Sequence, residues 1–468
     1  MSTPPKPDSV VDRDEEWAQL ARIVASERPE LVFVLGRRRV GKSFLLAPMC
    51  AAHGGLYYQA SRRSEAEQLG ALTRLLGEHF DEAALGHGAP LPSWEALLGY
   101  LKSRTSDAPF VLVLDEYPYL EELSPGLASV LQRWWDHDLA GSRMKLILAG
   151  SYITAMRRLD DPDQPLHARR TAGLSLRPFD CFDAAAFHPG LEPREAIQLW
   201  SIFGGLPGNL ALIAPKRSLA DNVIEHILTP TARLHEDGQG LIDGLRPEPG
   251  LHHSILSAVA AGEHTWRGIT KRTGKSSGSL SRPLQWLLDM ELLERVVPIT
   301  ESNPRTSKKT RYRVADPYLV FWHRFVSPLS QAGLTITAKP EALWRGRVEP
   351  LLDDYMGPMF ERACRAWAGR TTALPFEVAE VGTWWNEAHE VDVVARSLDG
   401  RALLVGECKW GTVDAHDEQR LWAAATVLAE RLGVEKIHLR LFAGRGPCPQ
   451  RPPEEVEVLT PSALFATA

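Results

Sequence analysis

Two short runs of this chain carry residues able to do chemistry on phosphate esters. The first is Gly36-Arg37-Arg38-Arg39-Val40-Gly41-Lys42-Ser43, which satisfies the pattern GxxxxGK[ST]. Glycines in such a loop let successive backbone N–H groups wrap an anion, and a helix starting there adds the positive end of its dipole. Lys42 would reach the β- and γ-phosphates of a nucleotide, and Ser43 would hold Mg²⁺. The second run is Asp392 followed by Glu407-Cys408-Lys409, two carboxylates and an amine that a hairpin can bring together. Oxygen ligands of this sort suit Mg²⁺ or Mn²⁺, ions that activate a water and stabilise the leaving oxygen in phosphodiester cleavage.

The loop needs a strand before it and a helix after it. Leu31–Leu35 is an apolar run entering the loop, and Phe44-Leu45-Leu46 begins a helical stretch leaving it. Phe110–Leu114 is wholly apolar, as a strand buried on both faces must be, and ends in Asp115-Glu116. Acidic residues at that edge sit where ligands bind in open α/β sheets. There Asp115 completes a magnesium shell, and Glu116 polarises the attacking water as general base. Lys145–Ala149 ends in Gly150-Ser151, which places Ser151 to sense a γ-phosphate from the neighbouring strand. Arg169 or Arg170 supplies the candidate transition-state cation. Together with Leu56–Gln59 and Leu174–Arg177, these runs alternate with amphipathic stretches and predict a parallel sheet with crossover helices.

The second run is organised by Asp399-Gly400, a hairpin signal between two alternating segments, Glu390–Ser397 and Ala402–Trp410. With a two-residue loop, Leu398 faces Arg401, Asp392 faces Glu407 and Glu390 faces Lys409. Opposed Cβ atoms lie about 4.5–5.5 Å apart, so the facing carboxylates repel unless a cation sits between them. Lys409 would steady the nucleophile or the scissile phosphate. Trp384-Trp385, just ahead of the first strand, suits core packing or base stacking.

Between these runs, Leu251, Ile255, Leu256 and Val259 recur at helical spacing, and Trp266–Arg272, the turn Thr273-Gly274 and Ser276–Leu292 form a helix-turn-helix signal. Asn303 to Arg313 reads as a basic hairpin. From Thr265 to Arg313 eleven Lys and Arg stand against four Asp and Glu, a local balance of +7 in a chain whose net charge is −6. Such a patch attracts a phosphate backbone through counterion release. Docking of protein is the other use such a fold is put to.

Arg37–Ser43, Leu114–Leu120, Ala149-Gly150-Ser151, Gly204-Gly205-Leu206-Pro207 and Asp316–Trp322 resemble the archaeal-type ATPases of the AAA-like, STAND-related branch, also found in bacteria. The resemblance covers nearly the whole chain. It implies an α/β architecture: a P-loop NTPase parallel sheet with a helical lid, a winged-helix middle domain and a restriction-endonuclease-like C-terminal domain. It also implies ATP as cofactor, held by Gly36 through Ser43 with Asp115, Ser151 and Arg169. Asp392 with Glu407-Cys408-Lys409 is similar to the PD-(D/E)XK nuclease pattern, Val391 standing where the proline would be. That similarity implies that Glu361, in the helix Met359–Trp367, joins Asp392 and Glu407 as a metal ligand, with Gln419 a further helical position. Ala168 stands before Arg169 where the ATPase family would place a glycine.

The 468 residues suffice for three domains, expected at 1–250, 251–325 and 326–468. Apolar content of 44% and charged content of 24% are those of a globular chain and exclude disorder, collagen-like repeats and a wholly basic nucleic-acid coat. The five cysteines lack CxxC spacing and read as reduced thiols. No run approaches the ~18 apolar residues of a membrane span, so a cytoplasmic protein without a membrane partner is expected. The expected partner is nucleic acid, DNA foremost, with a homo-oligomer or a protein partner left open. The expected function is an ATP-hydrolysing, DNA-interacting protein with a metal-dependent phosphodiester-cleaving domain. The alternative is an ATP-controlled DNA- or protein-binding switch whose nuclease-like domain does no catalysis.

Overall fold

A computed structural model describes residues 4–105, 109–139, 141–243 and 250–468. The boundary expected near residue 250 follows the Pro-rich stretch Arg246-Pro247-Glu248-Pro249, which lies outside the described residues. The chain divides into two compact units, Met1–Pro178 and Phe179–Ala468. The helical segment Cys181–Asp243, expected to complete the first module, belongs to the second unit. Ile197, Phe203 and Ile227 share one apolar core there with Ile255, Leu287, Phe321 and Phe360. Burial of these apolar faces, and not chain order, sets the division.

The first unit is built on five parallel strands: β1 (Glu30–Leu35), β2 (Leu56–Gln59), β3 (Phe110–Asp115), β4 (Met144–Gly150) and β5 (Ala172–Ser175). Their order across the sheet is β2-β3-β4-β1-β5. β3 and β4 are buried along their whole length, which is why they read as unbroken apolar runs. Because β4 lies between β1 and β3, three strand ends meet at one edge: the loop after β1, Asp115-Glu116 and Ser151. The fifth strand begins at Ala172 and not at Leu174. Pairing with β1 fixes it, since Thr171 and Leu176 N–H donate to Leu31 O and Leu35 O at the two ends of that strand.

The second unit carries helix Gly250–Ala260, then α1 (Trp266–Thr273) and α2 (Ser277–Asp289), followed by the antiparallel pair β6 (Leu293–Val296) and β7 (Arg311–Val314). Gly274 closes α1 at φ 64°, and Ser276 caps α2 by accepting from Ser279 N–H. Beyond lie α3 (Leu352–Arg370), β8 (Val378–Trp385), β9 (Glu390–Ser397), β10 (Ala402–Lys409), α4 (Ala415–Leu432), β11 (Lys436–Ala443) and β12 (Glu457–Leu459). The sheet order is β12-β11-β10-β9-β8, with β9 antiparallel to both neighbours and β10 to β12 parallel. Period two sorts its residues: Val393, Ala395 and Leu404 pack with Phe360 and Trp367 of α3. Val394, Leu403 and Val405 pack with Leu421 and Leu428 of α4 on the other face.

Two sequence motifs turn out to touch. At Gly204, φ is 73°, and a Cβ there would come within 2.5 Å of Asp316 Oδ1 and 3.1 Å of Tyr318 Cβ. At Gly205 a Cβ would lie 1.9 Å from Phe179 O, in a segment fixed by Phe179 N–H donating to Gly205 O at 2.8 Å. Asp316 caps the next helix by accepting from Tyr318 N–H at 2.9 Å. The glycine pair is thus the seat on which Asp316-Pro317-Tyr318 packs. Gly205→Ala is expected to destabilise the second unit by about 2–3 kcal/mol, the cost of forcing a backbone shift in a packed core, as a lowered melting transition of that unit. An unchanged melt would remove this account of the motif.

Candidate functional site

The loop after β1 encloses Lys42, only 5% exposed at the start of helix Lys42–Ala52. Arg39 (φ 71°) and Gly41 (φ 100°) both take left-handed backbone, and a Cβ on Gly36 would meet Leu176 O at 2.8 Å. Lys42 Nζ donates to Gly36 O and to Ser151 Oγ, each at 2.8 Å. Burial pulls Lys42 below its ordinary range, against the opposing pull of Glu116 and Asp115. Ser43 Oγ donates to Asp115 Oδ2 at 2.8 Å, and the Tyr57 hydroxyl donates to the same oxygen. Asp115 Oδ1 accepts from Glu116 N–H at 2.9 Å. Glu116, itself at φ 55°, accepts from Ser151 N–H at 3.0 Å and from Ser151 Oγ–H. Ser151 therefore bridges the lysine of the loop and the glutamate of β3. Ser43 Oγ and Asp115 Oδ2 are hard oxygens within reach of one point, a donor set that fits Mg²⁺.

In the second unit, the first part of α2 and the end of α1 are solvent-facing: Lys271, Arg272, Lys275, Ser276, Ser277, Ser279 and Arg282 are all exposed. The β6–β7 loop is organised by Arg295, which donates to Thr310 Oγ1 and Ser307 O at 2.9 Å each. Lys309 pairs with Glu301 at 3.2 Å, and Arg311 pairs with Glu390.

The β9–β10 hairpin has the expected register over Val393–Arg396 opposite Leu403–Gly406. It is closed by Gly400 at φ 72° and by Asp399 Oδ1, which accepts from Arg401 N–H at 3.0 Å. At Asp392 the pairing of β9 with β10 has ended, one position short of Glu407. The β8 pairing steps from Gly382↔Val394 to Trp384↔Val391, one residue of β8 (Thr383) against two of β9 (Asp392 and Val393), a bulge at Asp392. Asp392 Oδ2 accepts from Cys408 N–H at 2.9 Å. Glu390 pairs with Trp385 across the sheet and with Arg311 by charge. Arg365 of α3 holds Glu361 at 3.3 Å and donates to Asp392 O at 2.8 Å. Arg420 of α4 holds Glu407, and Lys409 Nζ is held by Asp417 Oδ1, both at 2.5 Å. Burial, then the nearby Glu361 and Glu407 charges, hold the Asp392 carboxyl well above the usual carboxylate range. Burial raises Glu407 also, against Arg420. Among the described residues, no three Asp, Glu, His or Cys side chains converge to hold a metal ion.

Residues 10–213 match the family described as an ATPase domain predominantly from Archaea, and residues 322–421 match a family of archaeal and bacterial proteins of unknown function. The N-terminal part of this chain is an ATPase domain. An uncharacterized protein of Methanocaldococcus jannaschii is 27% identical over 417 residues, covering 88% of this chain and 90% of that protein. The Walker-type ATPase PABY2304 of Pyrococcus abyssi shares the fold at a TM-score of 0.52, with 19% identity over 68% of this chain and 98% of that one. The ORC2 protein of Aeropyrum pernix, in its ADPNP–ADP complexes, scores 0.45 at 15% identity, over 71% of this chain and 96% of that one. No helix among the described residues is long and apolar enough to cross a membrane.

Within the ATPase domain the structure gathers Gly36, Lys42, Ser43, Asp115, Glu116 and Ser151 at one edge. Arg38 and Arg39 are exposed on the loop, while Arg37 and Val40 are buried beneath it. Arg169 does not join them: its guanidinium is bidentate on Asp136 at 2.9 and 2.8 Å. Ala168 before it takes left-handed backbone at φ 57°, the conformation for which a glycine is the natural residue. Tyr57 escaped the sequence reading because nothing in its spacing marks a phenol on an edge strand that reaches Asp115. Arg365, Asp417 and Arg420 escaped it because only helix phase puts them beside the carboxylates; Gln419 is exposed, and its neighbour Arg420 makes the contact. Trp384 is fully buried in the core, and Trp385 lies 4.2 Å beneath the Arg311 guanidinium.

The raised Asp392 has a measurable consequence. Above the ordinary aspartate range of about 3.9 the unfolded chain has released this proton while the folded one retains it, so the group costs stability as pH rises. Asp392→Asn keeps an acceptor for Cys408 N–H and removes the charge. It is expected to melt higher than the parent at pH 7–8, the difference vanishing as pH falls to about 4. An equal or lower melting temperature at pH 7 would refute a carboxylate held against its own charge.

Proposed function

We propose that this protein hydrolyses ATP to control its grip on nucleic acid, DNA foremost, through the basic middle segment. The first unit is read as the ATPase, and within the second unit a winged helix is read over 251–325 and a PD-(D/E)XK-like domain over 326–468. Lys42 and the loop amides from Gly36 to Ser43 bind the phosphates, and Ser43 and Asp115 hold Mg²⁺. Glu116 takes the proton of the attacking water. Mg²⁺, when bound, supplies positive charge against the developing charge on the phosphate oxygens. Ser151 ties Glu116 to Lys42, so loss of the terminal phosphate reaches the strand end of β4 directly.

The observation that carries the nucleic-acid half is the state of the cations on α1 and α2. Lys271, Arg272, Lys275 and Arg282 are exposed and have no ion-pair partner among the described residues. Cations left free along a helix-turn-helix suit a phosphate backbone better than another protein's mixed surface. Replacing Lys271, Lys275 and Arg282 by alanine is expected to weaken binding of labelled duplex DNA and to flatten the log–log salt slope by about 3. Glu116→Gln, holding ATP unhydrolysed, is expected to differ in DNA affinity between ATP and ADP. Salt titrations by fluorescence anisotropy measure both; an unchanged slope in the triple variant would sink the proposal.

In the C-terminal domain we read the carboxylates as matched by arginine in place of metal, a nuclease-like scaffold serving the switch. One observation favours cleavage as a second reading. The Asp392 carboxyl accepts from an amide and pairs with no cation among the described residues, while Glu361, Glu407 and Arg365 lie near it. Metal entry would require Arg420 to release Glu407. If cleavage occurs, plasmid DNA incubated with Mn²⁺ or Mg²⁺ is cut by the parent, faster by Arg420→Ala, and not by Asp392→Ala or Glu407→Ala. Nicking that persists equally in those last two variants would remove these residues from the chemistry.

A further inference from the structure

A cavity of about 360 Å³ lies in the second unit between β7, the Gly250–Ala260 helix and α3. Arg311, Arg313, Arg324 and Arg362 line it, against only Glu361 and Glu390. Period two puts Arg311 and Arg313 on the same face of β7. Arg311 is paired with Glu390. Arg362 is fixed by donating to the carbonyls of Val314 and Ala315, which orient it without neutralising it. Arg313 has no hydrogen bond or ion pair among the described residues. Burial, with the Arg365 and Arg362 charges, brings its guanidinium down to about 10 against the opposing pull of Glu361 and Glu294. A largely buried cation that nearby carboxylates offset only in part, and that no ion pair or hydrogen bond holds, costs stability unless something anionic completes it.

We propose that this cavity binds a terminal phosphate, the phosphate monoester of a nucleotide or of a nucleic-acid end. The wall residues sum to +2, which matches a monoester dianion better than the single charge of a backbone diester. Planar guanidinium forks are suited to phosphate oxygens. The volume lies in the range of small-ligand pockets and is far below what a duplex needs. Glu361 lines this cavity and also faces Asp392, so a strand end seated here would lead toward the carboxylate cluster. The inference goes beyond the proposed switch and holds whether or not the cluster cleaves.

The test separates it from both. In Lys42→Ala protein, so that the ATPase loop does not compete, and in EDTA, so that no metal-dependent step intervenes, calorimetry compares three probes: AMP, a short 5′-phosphorylated oligonucleotide, and its 5′-hydroxyl twin. Binding of AMP alone identifies a free nucleotide as the source, and binding of the phosphorylated oligonucleotide alone identifies a strand end; both support the site. Arg313→Gln is expected to weaken that binding about ten-fold or more, with Arg313→Lys between. The Arg313→Gln protein is also expected to melt no lower than its parent, since it loses an uncompensated cation. Equal affinity for the phosphorylated and hydroxyl strands together with no binding of AMP, or unchanged affinity in Arg313→Gln, would overturn the proposal.

Discussion

Asp115 loses almost all contact with water when the first unit folds, being 1% exposed, and every oxygen it buries must be given a donor. Ser43, Tyr57 and the N–H of Glu116 supply them. All three are neutral groups, and two are hydroxyls that can turn, so a divalent cation can replace their hydrogen bonds at small cost. The same requirement at Glu361 and Glu407 is met by arginines, Arg365 and Arg420, whose charge a metal would have to displace. Each carboxylate site is thus biased by the kind of partner that keeps it out of water. This is why the first unit is read as a metal–nucleotide site and the C-terminal cluster as a matched one.

Much of the first unit was legible because parallel strands buried on both faces must be apolar, and charge can appear only where they end. Phe110–Leu114 and Lys145–Ala149 announced themselves by that rule, and with them Asp115, Glu116 and Ser151. The hairpin at Asp399-Gly400 was legible for a different reason: its turn residues fix the register, and the register held over four pairs. What was not legible is the bulge one residue beyond them. A single extra residue on β9 costs no turn signal and breaks no hydrophobic pattern, since Val391 and Val394 both reach the α4-side core. It falls at Asp392, the position on which the sequence argument leaned most.

The division of the chain was hidden in a similar way. The Cys181–Asp243 helices follow the sheet in sequence and look like its continuation, but their apolar faces complete a core with Phe321 and Phe360. Gly204-Gly205 is where that packing is closest: the glycine pair lets Asp316 and Tyr318 approach the backbone. A motif that reads as a loop in the sequence is a contact between segments more than one hundred residues apart, and single-chain pattern reasoning has no term for such a contact.

The +7 of the middle segment is one number in the sequence, but its cations stand in different settings in space. Lys271, Arg272, Lys275 and Arg282 point to solvent from α1 and α2, where screening weakens each and only their sum attracts a polyanion. Arg311 and Arg313, two residues apart on β7, line a recess instead, where water is scarce and each charge acts at short range. The exposed set is suited to holding a long, uniformly charged backbone that slides, and the recessed set to holding one doubly charged group in a fixed place. Composition cannot separate the two, because the difference is made by the β-strand period alone: it puts alternate residues of β7 against α3 while the helices before it leave theirs in solvent.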